Sequence, residues 1–234
     1  MNQNLTIVAT ADGSNTIYNP QVGENYHSRH GALQESRHVF LKSGLEHFLS
    51  LHPGQKSVSI LEVGFGTGLN FLLTADFCAR EKIRLHYTGI EAYPLTPEMT
   101  GNTGYGEYTP QELWQQFNEH YPKALGTETP LGDNCTLYIA NCKLTDFCSE
   151  LRYDLIYFDA FASVHQPEMW NREAIGHTIG FLKPGGVFVT YAITGDLKRM
   201  IKEMGCRVEK ARGAPGKREM LRATKINDAA LTKA

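Results

Sequence analysis

No apolar run in this 234-residue sequence approaches the roughly 20 residues needed to cross a bilayer. The start lacks a basic stretch followed by a long apolar one, so no secretory signal is expected. Cysteine is sparse: five residues, an odd number without paired spacing, and Cys142 and Cys148 stand too far apart for a CxxC site. That argues against a disulfide scaffold and for reduced thiols in a cytoplasmic protein. Internal repeats and low-complexity tracts are missing, which excludes solenoids and fibrous arrays. Excess charge is missing too, the formal net charge being −2. A strong non-specific pull on nucleic acid is therefore not expected. What remains is an ordinary globular composition, enough for one domain of α/β size with a small attachment.

The charge is unevenly placed. From Asp196 to Ala234 there are 11 Lys and Arg against 5 Asp and Glu, whereas the rest of the chain carries 12 against 20. Lys198, Arg199, Lys202, Lys217, Arg218 and Arg222 are candidates for an RNA-facing end. The alternative is a solvated helix and a polar tail.

Along the chain, "GSNTIYNPQVGENYHS" mixes β-formers with turn residues and predicts a hairpin or arm. "HGALQESRHVFLKSGLEHFL" carries apolar residues at near-helical intervals and predicts a helix. These define an attachment over residues 1–50, with the main domain at 51–234. "SVSILEVGF" (57–65) is a continuous apolar run, the pattern of a strand buried on both faces. "GLNFLLTADFCAR" is helical and "LHYTGIEAY" (85–93) is the next strand. Between Pro94 and Pro130 turn formers surround "QELWQQFNEHYP", which predicts an insertion with one or two helices. "CTLYIANC" and "YDLIYFDAF" read as the third and fourth strands, "PEMWNREAIGHTIGFL" as a helix ended by "KPGG", and "VFVTYAI" (187–193) as the fifth. "GDLKRMIKEMG" reads as a helix. "CRVEKARG" and "REMLRAT" read as a closing strand pair around "APGK". Alternating strands and helices predict a seven-stranded, mostly parallel sheet with an antiparallel last strand.

"ILEVGFGTGLN" follows the first strand and opens a helix. Gly64, Gly66 and Gly68 let the chain turn and let a ligand approach the backbone. The spacing is GxGxG, not the GxGxxG of a dinucleotide site, and no P-loop lysine follows. A cofactor whose reactive arm carries no phosphate fits better, and S-adenosylmethionine is such a cofactor. Glu91 ends the second strand, where an acid can accept both ribose hydroxyls. Asn141 and Cys142 end the third strand, where an adenine contact is expected. The candidate cofactor residues are Glu62, Gly64, Phe65, Gly66, Thr67, Gly68, Asn70, Glu91, Ala92, Asn141, Cys142, Asp159 and Ala160. The alternative for the loop is a glycine turn made for packing, and for Glu91 an exposed strand end.

Asp159 stops the fourth strand after Ile156, Tyr157 and Phe158. A carboxylate there is costly to bury unless it caps backbone or faces a ligand. At this strand end it meets a methyl acceptor: it can take hydrogen bonds from an amine and aim the lone pair, and holding nitrogen in line supplies most of the acceleration. Asp159 is the candidate catalytic residue. Phe161 can wall the pocket or stack on a base, and Trp170 reads equally as pocket or core.

"GFGTGLNFL", "FDAFASVHQPEMW", "GKREM" and the arm "DGSNTIYNPQVGENYHSRHGALQESRHVF" together resemble the tRNA 5-(aminomethyl)-(2-thio)uridine methyltransferase family, the methyltransferase domain of MnmC. The likeness spans about residues 11–223. Ser163 stands where many members have proline. The resemblance implies a Rossmann-like class I methyltransferase that uses S-adenosylmethionine to methylate the amine of 5-aminomethyl-(2-thio)uridine at the tRNA wobble position. It implies the stand-alone form, without the FAD-dependent oxidase half. It also implies that an arm carrying Tyr26, His27 and Ser28 folds over the cofactor pocket. Tyr26, His27, Ser28, Phe161, Trp170, Lys217 and Arg218 are thus the candidate substrate residues. Lys217 and Arg218 read as tRNA contacts or as a solvated turn. His27, His30 and His38 match no metal-ligand spacing, so no metal is expected.

Two other functions fit the same residues. An aminopropyltransferase of spermidine-synthase type also uses an adenosyl sulfonium, but its polyamine needs a further acid pair, and "FDAFASVHQPEM" offers only Asp159 before Glu168. A non-catalytic tRNA-binding module has no need of Gly64, Gly66, Glu91 and Asp159 together.

Overall fold

A computed structural model describes residues 4–227. The chain opens with a three-stranded antiparallel sheet, β1 (Thr6–Ala9), β2 (Asn15–Asn19) and β3 (Glu24–Asn25). This is the expected arm, with one strand, β1, more than the hairpin read from the sequence. A helical stretch follows in three continuous pieces, Ala32–Glu35, a π-helical Ser36–Glu46 and His47–Leu51. Its apolar face, with Val39, Phe40, Leu45 and Phe48, packs into the core beneath the main sheet.

That sheet has eight strands, one more than expected. In chain order they are β4 (Ser57–Val63), β5 (Arg84–Ile90), β6 (Thr129–Leu131), β7 (Cys135–Ala140), β8 (Tyr153–Phe158), β9 (Leu182–Thr190), β10 (Cys206–Arg212) and β11 (Glu219–Lys225). Their spatial order is β10-β11-β9-β8-β4-β5-β7-β6. β4, β5, β7, β8 and β9 pair in parallel. The last strand, β11, lies antiparallel between β9 and β10. The extra strand is β6, a three-residue edge piece antiparallel to β7. It falls at the end of a turn-rich stretch and is too short to show alternation. β9 begins at Leu182, so "KPGG" opens this strand rather than standing before it; its pairing with β8 is irregular between Tyr153 and Leu155.

The central strands read as apolar runs because both faces are covered. All six β8 residues are buried. One side packs against the helical stretch and Leu69–Arg80, the other against Arg172–Gly180 and Gly195–Glu203. The insertion is Pro97–Gly101, a short turn at Tyr105–Glu107 and Gln111–Ala124, whose Phe117 and Tyr121 sink into the core.

After β4 the chain builds outward through β5 to β7, then crosses to the other side of β4 as β8. The carboxyl ends of β4 and β8 therefore flank the point where strand order reverses, the place where ligands bind in open α/β sheets. Gly64 follows one end and Asp159 the other.

Candidate active site

The glycine loop is pinned from both sides. The N–H groups of Gly64 and Phe65 both donate to the Ile90 carbonyl, at 3.0 and 3.1 Å, and that of Asp159 donates to the Val63 carbonyl at 2.8 Å. Gly64 has φ +85°, and a Cβ there would lie 2.5 Å from the Asp159 carbonyl oxygen. Gly66 has φ +52°, and a Cβ there would lie 2.9 Å from the Tyr26 ring. Both positions demand glycine for conformation and for space. The loop is thus held between the fourth-strand acid and the arm.

Glu91 lies just past β5. Its carboxylate accepts the N–H of Gly66 at 2.9 Å and that of Tyr93 at 3.0 Å, one on each oxygen. Burial pushes its pKa up, and these backbone bonds pull it back. A third backbone donor, Ala92, also acts on the carboxylate, which still keeps acceptor capacity for a ribose hydroxyl.

Asp159 belongs to a buried polar chain. Asn70, on the first turn of Leu69–Arg80, donates to Asp159 Oδ2 at 2.8 Å and to Glu62 Oε1 at 2.7 Å. Tyr87 donates its hydroxyl to Glu62 Oε2 at 2.8 Å. Burial, and then the negative charge of Glu35, push Asp159 up to about 8; the Asn70 bond and Lys217 act against that. Glu62 is fully buried, and burial with the nearby Asp159 charge raises its pKa well above the carboxylate range.

Two cavities meet at Asp159. The larger, about 900 Å³, is lined by Gly64, Phe65, Gly66, Thr67, Glu91, Ala92, Cys142, Asp159 and Ala160, with Tyr26, His27 and Phe161 on its arm side. The smaller, about 390 Å³, shares Tyr26, His27, Asp159, Ala160 and Phe161 and adds Ser28, Glu35, Tyr191 and Lys217. Most of the predicted residues are therefore brought together. Six lie off both linings. Glu62 and Asn70 are the buried polar chain behind Asp159, and Gly68 sits beneath Phe117. Asn141 and Arg218 are exposed. Trp170 donates to the Phe161 carbonyl at 2.7 Å and packs edge-on against Phe158 and Tyr191, the core alternative.

Three groups of predicted residues take definite settings. Lys217 sits on an exposed turn but reaches inward: its ammonium lies 3.0 Å from Glu35 Oε1 and 3.8 Å from the centre of the Tyr191 ring. Arg222 pairs with Glu209 at 3.0 Å and Arg199 with Asp196 at 2.6 Å, so both carry a local partner. His27, on the arm beside both chambers, is buried. Its Nδ1 lies 3.1 Å from Thr16 Oγ1 and its Nε2 3.5 Å from Thr67 Oγ1, and burial lowers its pKa to about 4, leaving it neutral. It ties the arm to the glycine loop. Of the charge-rich tail, residues 228–234 lie outside the described residues.

The residues missed from sequence are Glu24, Glu35, Ser36, Tyr93 and Tyr191. Glu35 is buried beside Lys217, 182 positions away in the chain. No local pattern marks such a pair.

Residues 108–226, just over half of the chain, match the family described as S-adenosyl-L-methionine-dependent methyltransferase. The chain belongs to that family. The methyltransferase is 32% identical over 211 residues to the tRNA 5-methylaminomethyl-2-thiouridine biosynthesis bifunctional protein MnmC of Cupriavidus necator, covering 87% of this chain and 32% of that protein. The protein of the same name from Aromatoleum aromaticum is 31% identical over 215 residues, covering 86% of this chain and 32% of the relative. The chain thus spans about a third of the length of these curated relatives. Among solved structures, MNMC2 from Aquifex aeolicus superposes with a TM-score of 0.74 at 23% identity, covering 98% of this chain and 75% of that one. This fixes the fold as that of a class I methyltransferase.

Proposed function

We propose that this methyltransferase converts the amine of 5-aminomethyl-(2-thio)uridine at the tRNA wobble position to its methylaminomethyl form. The observation that carries the reading is the position of Asp159 at the junction of two chambers, one with the features of a cofactor site and one beside it. The names of the Cupriavidus and Aromatoleum relatives supply the RNA and the base.

The larger chamber fits S-adenosylmethionine by its chemistry. Its glycine loop leaves no room for side chains, and Glu91 keeps free lone pairs beside it. Gly64, Phe65, Gly66, Thr67, Glu91, Ala92, Cys142 and Ala160 would hold it. Bound there, the cofactor supplies an electrophilic methyl group on a sulfonium. The chain's own residues do the rest. Asp159 accepts hydrogen bonds from the acceptor amine and points its lone pair towards the cofactor chamber, with Tyr26 and Phe161 walling off water. With a pKa raised to about 8 before the cofactor's charge arrives, Asp159 can also take the proton that the amine must lose. Lys217, Glu35 and Ser28 line the acceptor side. Arg218, the half-buried Lys198 and the exposed Lys202 are the proposed RNA footprint, and a cytoplasmic setting follows from that substrate. Among the described residues no helix is long and apolar enough to cross a membrane.

The aminopropyltransferase reading asks for further acids, and Glu24 and Glu35 do approach the second chamber. Both are committed: Glu24 accepts the Ala162 N–H at 2.9 Å and Glu35 holds Lys217 and the Ser28 N–H. Nucleoside analysis tests the proposal. With S-adenosylmethionine and tRNA bearing 5-aminomethyl-(2-thio)uridine, the modified base should gain one methyl group. Product formed instead from decarboxylated cofactor and a diamine would overturn it.

A further inference from the structure

We infer that Ser36 and Asn70 are positioning residues for this reaction: the Ser36 hydroxyl orients the Asn70 amide, and that amide holds the Asp159 carboxylate at the junction of the chambers as a hydrogen-bond acceptor. The inference rests on the reading of Asp159 as the group that meets the amine.

The direction of the amide follows from Asp159 acting as an ionised acceptor. Ser36 Oγ lies 2.6 Å from Asn70 Oδ1, and Asn70 Nδ2 faces Glu62 Oε1 at 2.7 Å and Asp159 Oδ2 at 2.8 Å. An amide nitrogen has two hydrogens, and two carboxylate oxygens stand in front of it. Its oxygen needs a donor, and the serine hydroxyl is one. Rotating the amide by half a turn would set its oxygen against the Asp159 carboxylate. Ser36 and Asn70 are 1% and 3% exposed, so water does not replace either bond. The serine opens the π-helical piece Ser36–Glu46, and irregular helices of this kind concentrate at functional sites. Its neighbour Glu35 turns to the other chamber and holds Lys217. Consecutive residues of one helix thus brace Asp159 from behind and its acceptor chamber from the side.

The charged and titratable groups that face Asp159 are Glu62 on β4, Tyr87 on β5, Glu24 on β3, Glu35 on the helical stretch, Tyr191 after β9 and Lys217 in the final turn. Most are acids. Among them Asn70 is a neutral group that donates to Asp159 directly and so favours its charged form.

The test is a ¹³C NMR titration of the aspartate carboxyls in the parent, Ser36→Ala and Asn70→Ala, with the Asp159 signal assigned by its loss in Asp159→Asn. The midpoint should rise by roughly half to one pH unit in Ser36→Ala, and further in Asn70→Ala. The acid limb of kcat for methyl transfer should rise with it. Should Asn70→Ala fail to fold, Ser36→Ala decides, since it removes one hydroxyl and leaves the fork in place. A folded Ser36→Ala with an unmoved midpoint overturns the inference. A moved midpoint in a protein that methylates no aminomethyl-uridine tRNA supports the relay and refutes the substrate instead.

Discussion

The ring of Tyr26 stands edge-on to that of Phe161, with centroids 5.1 Å apart and planes at 71°. One comes from the arm, the other from the loop after Asp159, and both line both chambers. Edge-to-face pairs contribute about 0.5–1.5 kcal/mol beyond burial. Tyr26→Phe should therefore keep near-parent kinetics, because the ring is retained. Tyr26→Ala opens the wall and should raise KM for the RNA by roughly three- to tenfold. Steady-state kinetics on both variants checks this.

Glu91 holds the glycine loop through Gly66 and Tyr93 and offers acceptors beyond it. Glu91→Ala removes both functions. Hydrogen bonds to charged groups are worth about 1.5–3 kcal/mol each. Affinity for S-adenosylmethionine should fall by at least about tenfold by calorimetry. Unchanged affinity would remove Glu91 from the cofactor site.

Asp159, pushed up to about 8, is mostly protonated at pH 6 and mostly ionised at pH 9. A sulfonium binds better beside the ionised form, whereas the thioether of S-adenosylhomocysteine carries no such charge. The ratio of the two affinities should therefore shift several-fold towards S-adenosylmethionine as pH rises through about 8. Taking the ratio cancels the titration of the amino group both ligands share. Asp159→Asn should flatten the curve, and a flat curve in the parent would contradict this placement of the charge.

Arg218 is exposed on the turn where a Cβ at Gly216 would press on His30, at the rim of the acceptor chamber. Arg218→Glu should weaken tRNA binding and reduce the salt slope by about one phosphate contact, about 0.7–0.9 in log–log units. Cofactor affinity should not change. Lys217→Glu is a different experiment, since it sets a second acid against Glu35 inside the chamber. Filter binding over a salt series on Arg218→Glu separates footprint from pocket.

What was legible in the sequence follows the locality of each signal. The central strands announced themselves as apolar runs, and the loop at Gly64 to Gly68 with Glu91 and Asp159 lay at strand ends that order alone brings together. The edge strand β6 is three residues long and carries no pattern. A solvated turn and a lysine reaching inward have the same local sequence, so Lys217 could be located only once Glu35 and Tyr191 were in place around it. Asn70 read as a cofactor contact because it follows the loop. Folding turns its amide back to Glu62 and Asp159, with Ser36 behind it, a relation between residues 34 and 89 positions apart.

The most direct measurement is single-turnover methyl transfer from saturating S-adenosylmethionine to tRNA bearing 5-aminomethyl-uridine, parent against Asp159→Asn. The asparagine keeps the shape and loses the charge, and charge placement acts mainly in the transition state. The parent should form methylaminomethyl-uridine. The variant should be slower by roughly a hundredfold or more while still binding the cofactor. Transfer by Asp159→Asn at the parent rate would reduce Asp159 to a structural cap and contradict the mechanism.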